Sequence, residues 1–120
     1  MARHRSTNVA GKPFDRATIE AVWAKARVSD QHRPLRVDPL GRLIWKQAYG
    51  NVNSKLGWEI DHIKPVDAGG GDELENLQPL QWENNWRKGE TYANGEHALA
   101  AEGAQGDGQE FRSNGNATAR

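Results

Sequence analysis

The sequence contains no cysteine among its 120 residues. Disulfides and thiolate zinc sites are therefore excluded, so we expect no structural zinc, and any metal ion must be bound by oxygen and nitrogen ligands. The sequence also lacks an apolar run long enough to cross a bilayer, and no apolar stretch follows its basic first residues. We therefore predict a cytoplasmic protein without membrane contact, although export that needs no N-terminal signal stays open.

An excess of charge of one sign is absent as well. Lys plus Arg and Asp plus Glu number 16 each, which gives a net charge of +0. A general attraction of the whole molecule for nucleic acid is thereby excluded, whereas a local basic surface is not.

The chain is long enough for one small domain. Its hydrophobic fraction is only 36%, which predicts that part of it does not fold. We place the domain at residues 14–92, after a flexible basic N-terminus at residues 1–13. Residues 93–120 are rich in Gly, Ala and Asn and are predicted to be a disordered tail. The oligomeric state is not visible in the sequence.

Hydrophobic spacing predicts a first helix from about Arg16 to Arg27, with Asp15 as its N-cap. The polar stretch that follows, from Val28 to Pro39, is predicted to be a loop because Pro34 and Pro39 disfavour regular strand pairing.

Two short strands are predicted next, at about Arg42 to Lys46 and Gly57 to Asp61, in a hairpin-like arrangement. A glycine loop, "DAGGGDELENLQPL", leads through a short extended segment to a helix in "QWENNWRKG". These elements predict an α+β fold. If Trp82 and Trp86 pack on the sheet, Asn85 lies about 60° from Trp82 at the rim of the core, whereas Asn84 lies in solvent.

The strand "GWEIDHIKPV" ends with Asp61 directly against His62, and Asn76 and Asn85 follow at a distance. Together with the "GGG" loop, "NLQPL" and the closing "NNWRKG", this pattern resembles the HNH endonuclease family in its ββα-metal (His-Me finger) form. The resemblance covers Gly57 to Gly89 in detail and is specific, because all of these features occur in register. It implies a ββα-metal motif in addition to the N-terminal helix and the short antiparallel hairpin predicted above.

The resemblance also implies a role for each residue. His62 would be the general base that takes a proton from the attacking water, and Asn76 would tie the loop so that the imidazole stays oriented. Asp61 and Asn85 would bind one divalent metal ion. Since an amide oxygen replaces the usual imidazole at Asn85, the expected ion is Mg²⁺ or Mn²⁺.

Nucleic acid, and DNA rather than RNA, is the partner that the resemblance implies. Lys88 matches a lysine that would contact a phosphate, and Lys64 and Arg87 are further candidates for this surface. Neighbouring side chains of a regular strand point to opposite faces, so Asp61 and His62 can reach one ion or phosphate only if the strand bends or ends at this pair.

Each of these residues also has a structural explanation. An isolated Asp-His pair is common at a polar strand end, Asn85 could be a helix-surface amide, and Lys88 could interact only with the helix dipole. His4, His32 and His97 lie in predicted loops or tails and receive no role. Two other functions stay open: a nucleic-acid-binding module that keeps the scaffold without cleaving, and an assembly protein of a virus-like particle.

Overall fold

The computed structural model of the protein describes residues 6–93, and it confirms the predicted α+β class. The predictions for residues 1–5 and 94–120, which include His4, His97 and most of the tail, lie outside the described residues. Within the described part of the chain, no helix is long and apolar enough to cross a membrane. The helices and strands follow in the order α1 (Arg16–Trp23), β1 (Arg27–Val28), β2 (Leu35–Val37), β3 (Leu43–Trp45), β4 (Trp58–His62), β5 (Leu77–Gln81) and α2 (Trp82–Ala93).

Helix α1 begins where the sequence predicts and ends earlier. The carboxylate of Asp15 accepts a hydrogen bond of 2.8 Å from the backbone N–H of Thr18, as an N-cap does. The helix ends at Trp23, because the next turns close through i→i−3 hydrogen bonds from Lys25 and Ala26. The predicted end at Arg27 was therefore wrong.

Strands β1, β2 and β3 form an antiparallel sheet in that order, with Arg36 opposite Ile44 in the β2–β3 pair. The predicted loop between Val28 and Pro39 was therefore wrong. The two prolines lie outside strand β2 rather than interrupt it, since Pro34 directly precedes its first residue and Pro39 comes two residues after its last.

Strands β4 and β5 form a second antiparallel pair, in register from Trp58 opposite Gln81 to His62 opposite Leu77. The predicted hairpin between the strand at Arg42 to Lys46 and the strand at Gly57 to Asp61 was wrong, because β3 pairs with β2 instead. The last residue of β3, Trp45, donates a backbone hydrogen bond of 3.0 Å to Leu56, which lies two residues before β4.

The hydrophobic core lies between α1 and one face of the β4–β5 pair. Trp58 is fully buried at its centre, with ring centroids 5.3 Å from Trp23 and 4.9 Å from Tyr49. The other buried members of the core are Phe14, Val22, Ala26, Ile44, Ile60 and Leu77. Burial of these large side chains is the main stabilising contribution to a domain of this size.

Helix α2 packs on β4 and β5 with a polar side rather than a tryptophan stripe. Asn84 is 2% exposed and Lys88, one turn later, is also buried, whereas Trp86 is 50% exposed and packs edge-on against Trp82. The condition that Trp82 and Trp86 both pack on the sheet is therefore not met, and the position of Asn84 in solvent, which depended on it, was wrong. The strand face opposite the core carries carboxylates, and these require polar partners.

A buried carboxylate fixes the start of α2. Oδ2 of Asp38 accepts hydrogen bonds from the backbone N–H of Gln81 at 2.9 Å and from Nδ2 of Asn84 at 3.0 Å. Oε1 of Gln81 in turn accepts the backbone N–H groups of Glu83 and Asn84, which belong to the first turn of the helix. The loop before β3 and the first turn of α2 are thereby connected.

Part of the N-terminal segment packs on the outer edge of β4. The hydroxyl of Ser6 accepts a hydrogen bond of 2.9 Å from the backbone N–H of Ile60 and lies 2.7 Å from the hydroxyl of Tyr49. Thr7 and Pro13 form an isolated antiparallel bridge. Residues 6–13 are therefore connected to the domain, while its boundary at residue 14 stays a prediction.

Candidate active site

Asp61 and His62 are the last two residues of β4 and point to opposite faces of the β4–β5 pair. Both are still paired, Asp61 with Gln78 and His62 with Leu77, and the strand ends directly after them. The end of the strand agrees with the sequence argument, but the regular alternation of side chains is kept. The carboxylate consequently faces α2, while the imidazole lies 5.9 Å from the ring of Phe14 on the core side.

The carboxylate of Asp61 is enclosed between β4, β5 and α2. Its Oδ2 accepts a hydrogen bond of 2.9 Å from Nε2 of Gln78 and lies 3.2 Å from Nζ of Lys88. The side chains of Asp61 and Lys88 are 12% and 8% exposed. Nζ of Lys88 also donates to the backbone carbonyl of His62 at 3.1 Å, so one ammonium contacts both residues of the pair.

Burial raises the pKa of Asp61 above its usual value of 3.8, because a charged carboxylate loses solvation there. The charge of Lys88 and the hydrogen bond from Gln78 oppose this shift without cancelling it. A second cation near Asp61 would oppose it further.

Asn85 lies on the same side of the hairpin, and its Nδ2 donates a hydrogen bond of 2.8 Å to Oε1 of Glu59. Since the amide nitrogen is a donor, the side-chain atom of Asn85 that could bind a cation is its amide oxygen. Among the side chains that the structure describes, at residues 6–89, no group of three or more Asp, Glu or His residues could hold a metal ion. A metal at this position would therefore depend on few protein oxygens and on water, which is how Mg²⁺ is commonly bound.

On the opposite face, the imidazole of His62 is bonded to a carboxylate. Its Nε2 lies 2.8 Å from Oδ1 of Asp72, and the residue is 8% exposed. Asp72 was not predicted from the sequence. The available signal was an acid directly after three glycines, in a loop that returns to the end of β4.

Asn76 closes that loop on itself. Its Oδ1 accepts the backbone N–H of Lys64 at 2.8 Å, and its Nδ2 donates to the carbonyl oxygens of Lys64 at 3.1 Å and Gly71 at 2.9 Å. The loop passes so near itself that a Cβ on Gly70 would lie 1.8 Å from the carbonyl oxygen of Lys64. One amide thus connects the two ends of the glycine loop.

The basic residues assigned to nucleic acid separate into two groups. Lys64 and Arg87 are exposed, the first beside the glycine loop and the second on α2. Lys88 is buried, and its ammonium is directed at Asp61 and His62 rather than at the surface. The structure therefore places Asp61, Asn85 and Lys88 at the β4–α2 contact, where Lys88 pairs with Asp61 and Asn85 with Glu59, and it places His62 and Asn76 at the glycine loop.

Comparison with known protein families supports the resemblance seen in the sequence. Residues 50–91 match the family model described as HNH endonuclease, which confirms that prediction. The matched region contains β4, the glycine loop, β5 and the described side chains of α2. No curated protein and no solved structure matched the chain. The match indicates a nuclease-type function that acts on nucleic acid.

Proposed function

Because residues 50–91 match the HNH endonuclease family, we propose that this protein is a metal-dependent endonuclease that hydrolyses phosphodiester bonds of DNA. His62 is the general base, Asp61 and Asn85 bind one Mg²⁺ or Mn²⁺ ion, and Asn76 holds the glycine loop. The observation that carries the proposal is the enclosed carboxylate of Asp61, placed directly before His62 at the end of a strand.

The enclosed carboxylate favours a cation site over a simple polar strand end. At the end of an ordinary strand, an aspartate would be left in water, where its charge is best solvated. Here the Asp61 side chain is only 12% exposed, and burial raises its pKa. A bound divalent ion would compensate that burial and supply positive charge where the phosphate oxygens become more negative during hydrolysis.

The opposite orientations of Asp61 and His62 constrain how a phosphodiester binds. Since β4 ends at His62, the scissile phosphate would lie across the end of the strand. His62 would then approach the attacking water from one side, while the α2 side holds the leaving group. His62 would accept the proton of that water as its oxygen bonds to phosphorus and the opposite P–O bond breaks, and the leaving oxygen would take up a proton from solvent water.

Exposed basic residues would hold the rest of the DNA. Lys64 flanks the glycine loop and Arg87 directly precedes Lys88 on α2, so both are near the residues of the proposed site in sequence, and both are exposed. Because the net charge of the chain is +0, we expect binding through a small number of phosphate contacts.

A second candidate function is a nucleic-acid-binding module that does not cleave. The ion pair between Lys88 and Asp61, at 3.2 Å, favours this candidate, because an internal ammonium already neutralises the carboxylate that would hold the ion. The two candidates differ in one property, which is cleavage that depends on both a metal ion and His62.

Plasmid cleavage by the purified full chain tests the proposal. The protein is incubated with supercoiled DNA and with Mg²⁺, Mn²⁺, Zn²⁺ or EDTA, beside His62→Ala and the control His32→Ala, which changes an exposed histidine. The expected result is nicking or linearisation that requires Mg²⁺ or Mn²⁺. This cleavage should persist in the control and disappear in His62→Ala. Absence of cleavage with every metal, while the protein still retards DNA in a gel, would select the binding module.

A further inference from the structure

The imidazole of His62 is held by a second side chain that the family comparison does not assign. Oδ1 of Asp72 lies 2.8 Å from Nε2 of His62. Within the β4–β5 pair, His62 is on the core side, where its ring lies 5.9 Å from that of Phe14, and it is 8% exposed.

Asp72 is itself fixed from two directions. Its two carboxylate oxygens each lie 3.1 Å from the backbone N–H of Val9, in the N-terminal segment that packs along β4. Within the loop, Nδ2 of Asn76 holds the carbonyl oxygen of the preceding residue, Gly71. The carboxylate is therefore held at His62 although it is 42% exposed as a side chain.

The hydrogen bond determines which ring nitrogen can act as a base. A carboxylate only accepts hydrogen bonds, so the proton of neutral His62 must be on Nε2 for this contact to be favourable. Nδ1 then carries the free lone pair. When Nδ1 accepts a proton, the ring becomes positively charged, and the adjacent carboxylate of Asp72 stabilises that charge.

We propose that Asp72 is a positioning residue for His62: it fixes the Nε2–H tautomer, presents Nδ1 as the base and stabilises the imidazolium formed when water is deprotonated. The roles of Nδ1 as a base and of Asp72 in stabilising the imidazolium rest on the proposed nuclease function. The Nε2–H tautomer concerns the resting protein alone. Val9 extends the arrangement to the N-terminal segment, because its amide holds the carboxylate in place.

The tautomer is measured directly from the imidazole ¹⁵N chemical shifts of the full-length protein. Spectra of the neutral rings are recorded for the wild type, Asp72→Ala, Asp72→Asn and the control Asp67→Asn, which changes an exposed acid of the same loop. Subtraction of the His62→Ala spectrum assigns the signals of His62. The expected result is a protonated Nε2 and an unprotonated Nδ1 in the wild type and in Asp67→Asn, and a mixture of both tautomers in Asp72→Ala.

A proton on Nδ1 in the wild type would overturn the proposal, as would an unchanged tautomer in Asp72→Ala. Asp72→Asn keeps an acceptor oxygen and removes the charge, so it tests the charge of Asp72 through cleavage even if the alanine variant does not fold. For cleavage, Asp72→Asn is expected to lower kcat by about 10-fold or more with little change in KM. Equal kcat in Asp72→Asn and Asp67→Asn would contradict the role in charge stabilisation.

The two proposals fail separately. If the wild type cleaves no DNA but His62 shows the Nε2–H tautomer and loses it in Asp72→Ala, the nuclease proposal fails and the positioning role of Asp72 stands. If the wild type cleaves DNA and the tautomer does not respond to Asp72, only the positioning role fails.

Discussion

Lys88 and Asp61 form an ion pair of 3.2 Å beneath the end of β4, with side chains that are 8% and 12% exposed. The same ammonium donates to the carbonyl oxygen of His62. A helix residue thereby contacts both members of the Asp-His pair, the first through its side chain and the second through its backbone. The position of α2 and the end of the strand are consequently coupled.

Replacement of Lys88 by methionine is expected to destabilise the protein and to do so more strongly at neutral than at acidic pH. Breaking a buried ion pair from one side costs on the order of 3 kcal/mol. The pKa of Asp61 is raised above 3.8 by burial, and the charge of Lys88 opposes this, so the variant should have a still higher pKa at Asp61. Since the native state then binds more protons than the unfolded state, the free energy of unfolding falls as pH rises from 3.8 through the folded pKa.

Urea unfolding of Lys88→Met at mildly acidic and at neutral pH measures this effect, with Arg87→Met as the control because Arg87 is exposed. If Lys88→Met lowers the free energy of unfolding by the same amount at both pH values, the ionisation of Asp61 does not depend on Lys88.

Replacement of Asp38 by alanine should lower the free energy of unfolding by on the order of 3 kcal/mol, because buried N–H donors lose their acceptor. The donors include the backbone of Gln81 and the side chain of Asn84, at 2.9 and 3.0 Å. Urea denaturation measures the change, and the exposed Asp30→Ala is the matched control. If the two variants were equally stable, Asp38 would not be what fixes the start of α2.

Replacement of Asn76 by alanine is expected to loosen the glycine loop while the β4–β5 pairing stays intact. The backbone N–H of Lys64 loses its acceptor, so its amide hydrogen should exchange faster with solvent. The N–H of Ile63 is bonded at 2.7 Å to the backbone carbonyl of residue 76, which the substitution keeps, so it is an internal control. Hydrogen exchange followed by NMR separates the two amides, and equal acceleration of both would indicate unfolding of the whole region.

Removal of the exposed charges Lys64 and Arg87 should weaken DNA binding and reduce its salt dependence. Each lost phosphate contact is expected to lower the slope of log K against log salt by about 0.9. The measurement uses fluorescence anisotropy with a labelled duplex, in the His62→Ala background so that the DNA is not cut. Arg27→Ala, on strand β1, is the control, and an equal change in that variant would show that the contacts are not localised at the site.

Local chemistry made several features predictable from the sequence. Asp15 caps α1 as expected, because an N-cap depends only on residues three positions apart. The Asp-His pair at the end of a strand and the asparagine after a glycine loop were also visible, since both belong to a contiguous motif. The match of residues 50–91 to the HNH endonuclease family agrees with that interpretation.

Contacts between distant parts of the chain explain what the sequence did not disclose. Lysine is usually a surface residue, and Lys88 is buried favourably only because it lies over Asp61. Asn84 is buried because Asp38, far away in the chain, accepts its hydrogen bond. The pairing of β3 with β2 instead of β4 is likewise a choice among strands of similar composition.

The network of Asp38, Gln81 and Asn84 at the start of α2 affects how chelators can be used with this protein. The helix is fixed there by a carboxylate and two amides, none of which binds EDTA or changes with redox potential. Chelation should therefore leave the start of α2 in place, and so should strong reductants, because the chain has no cysteine. Loss of cleavage on addition of EDTA would then report the removal of a catalytic ion from an intact scaffold.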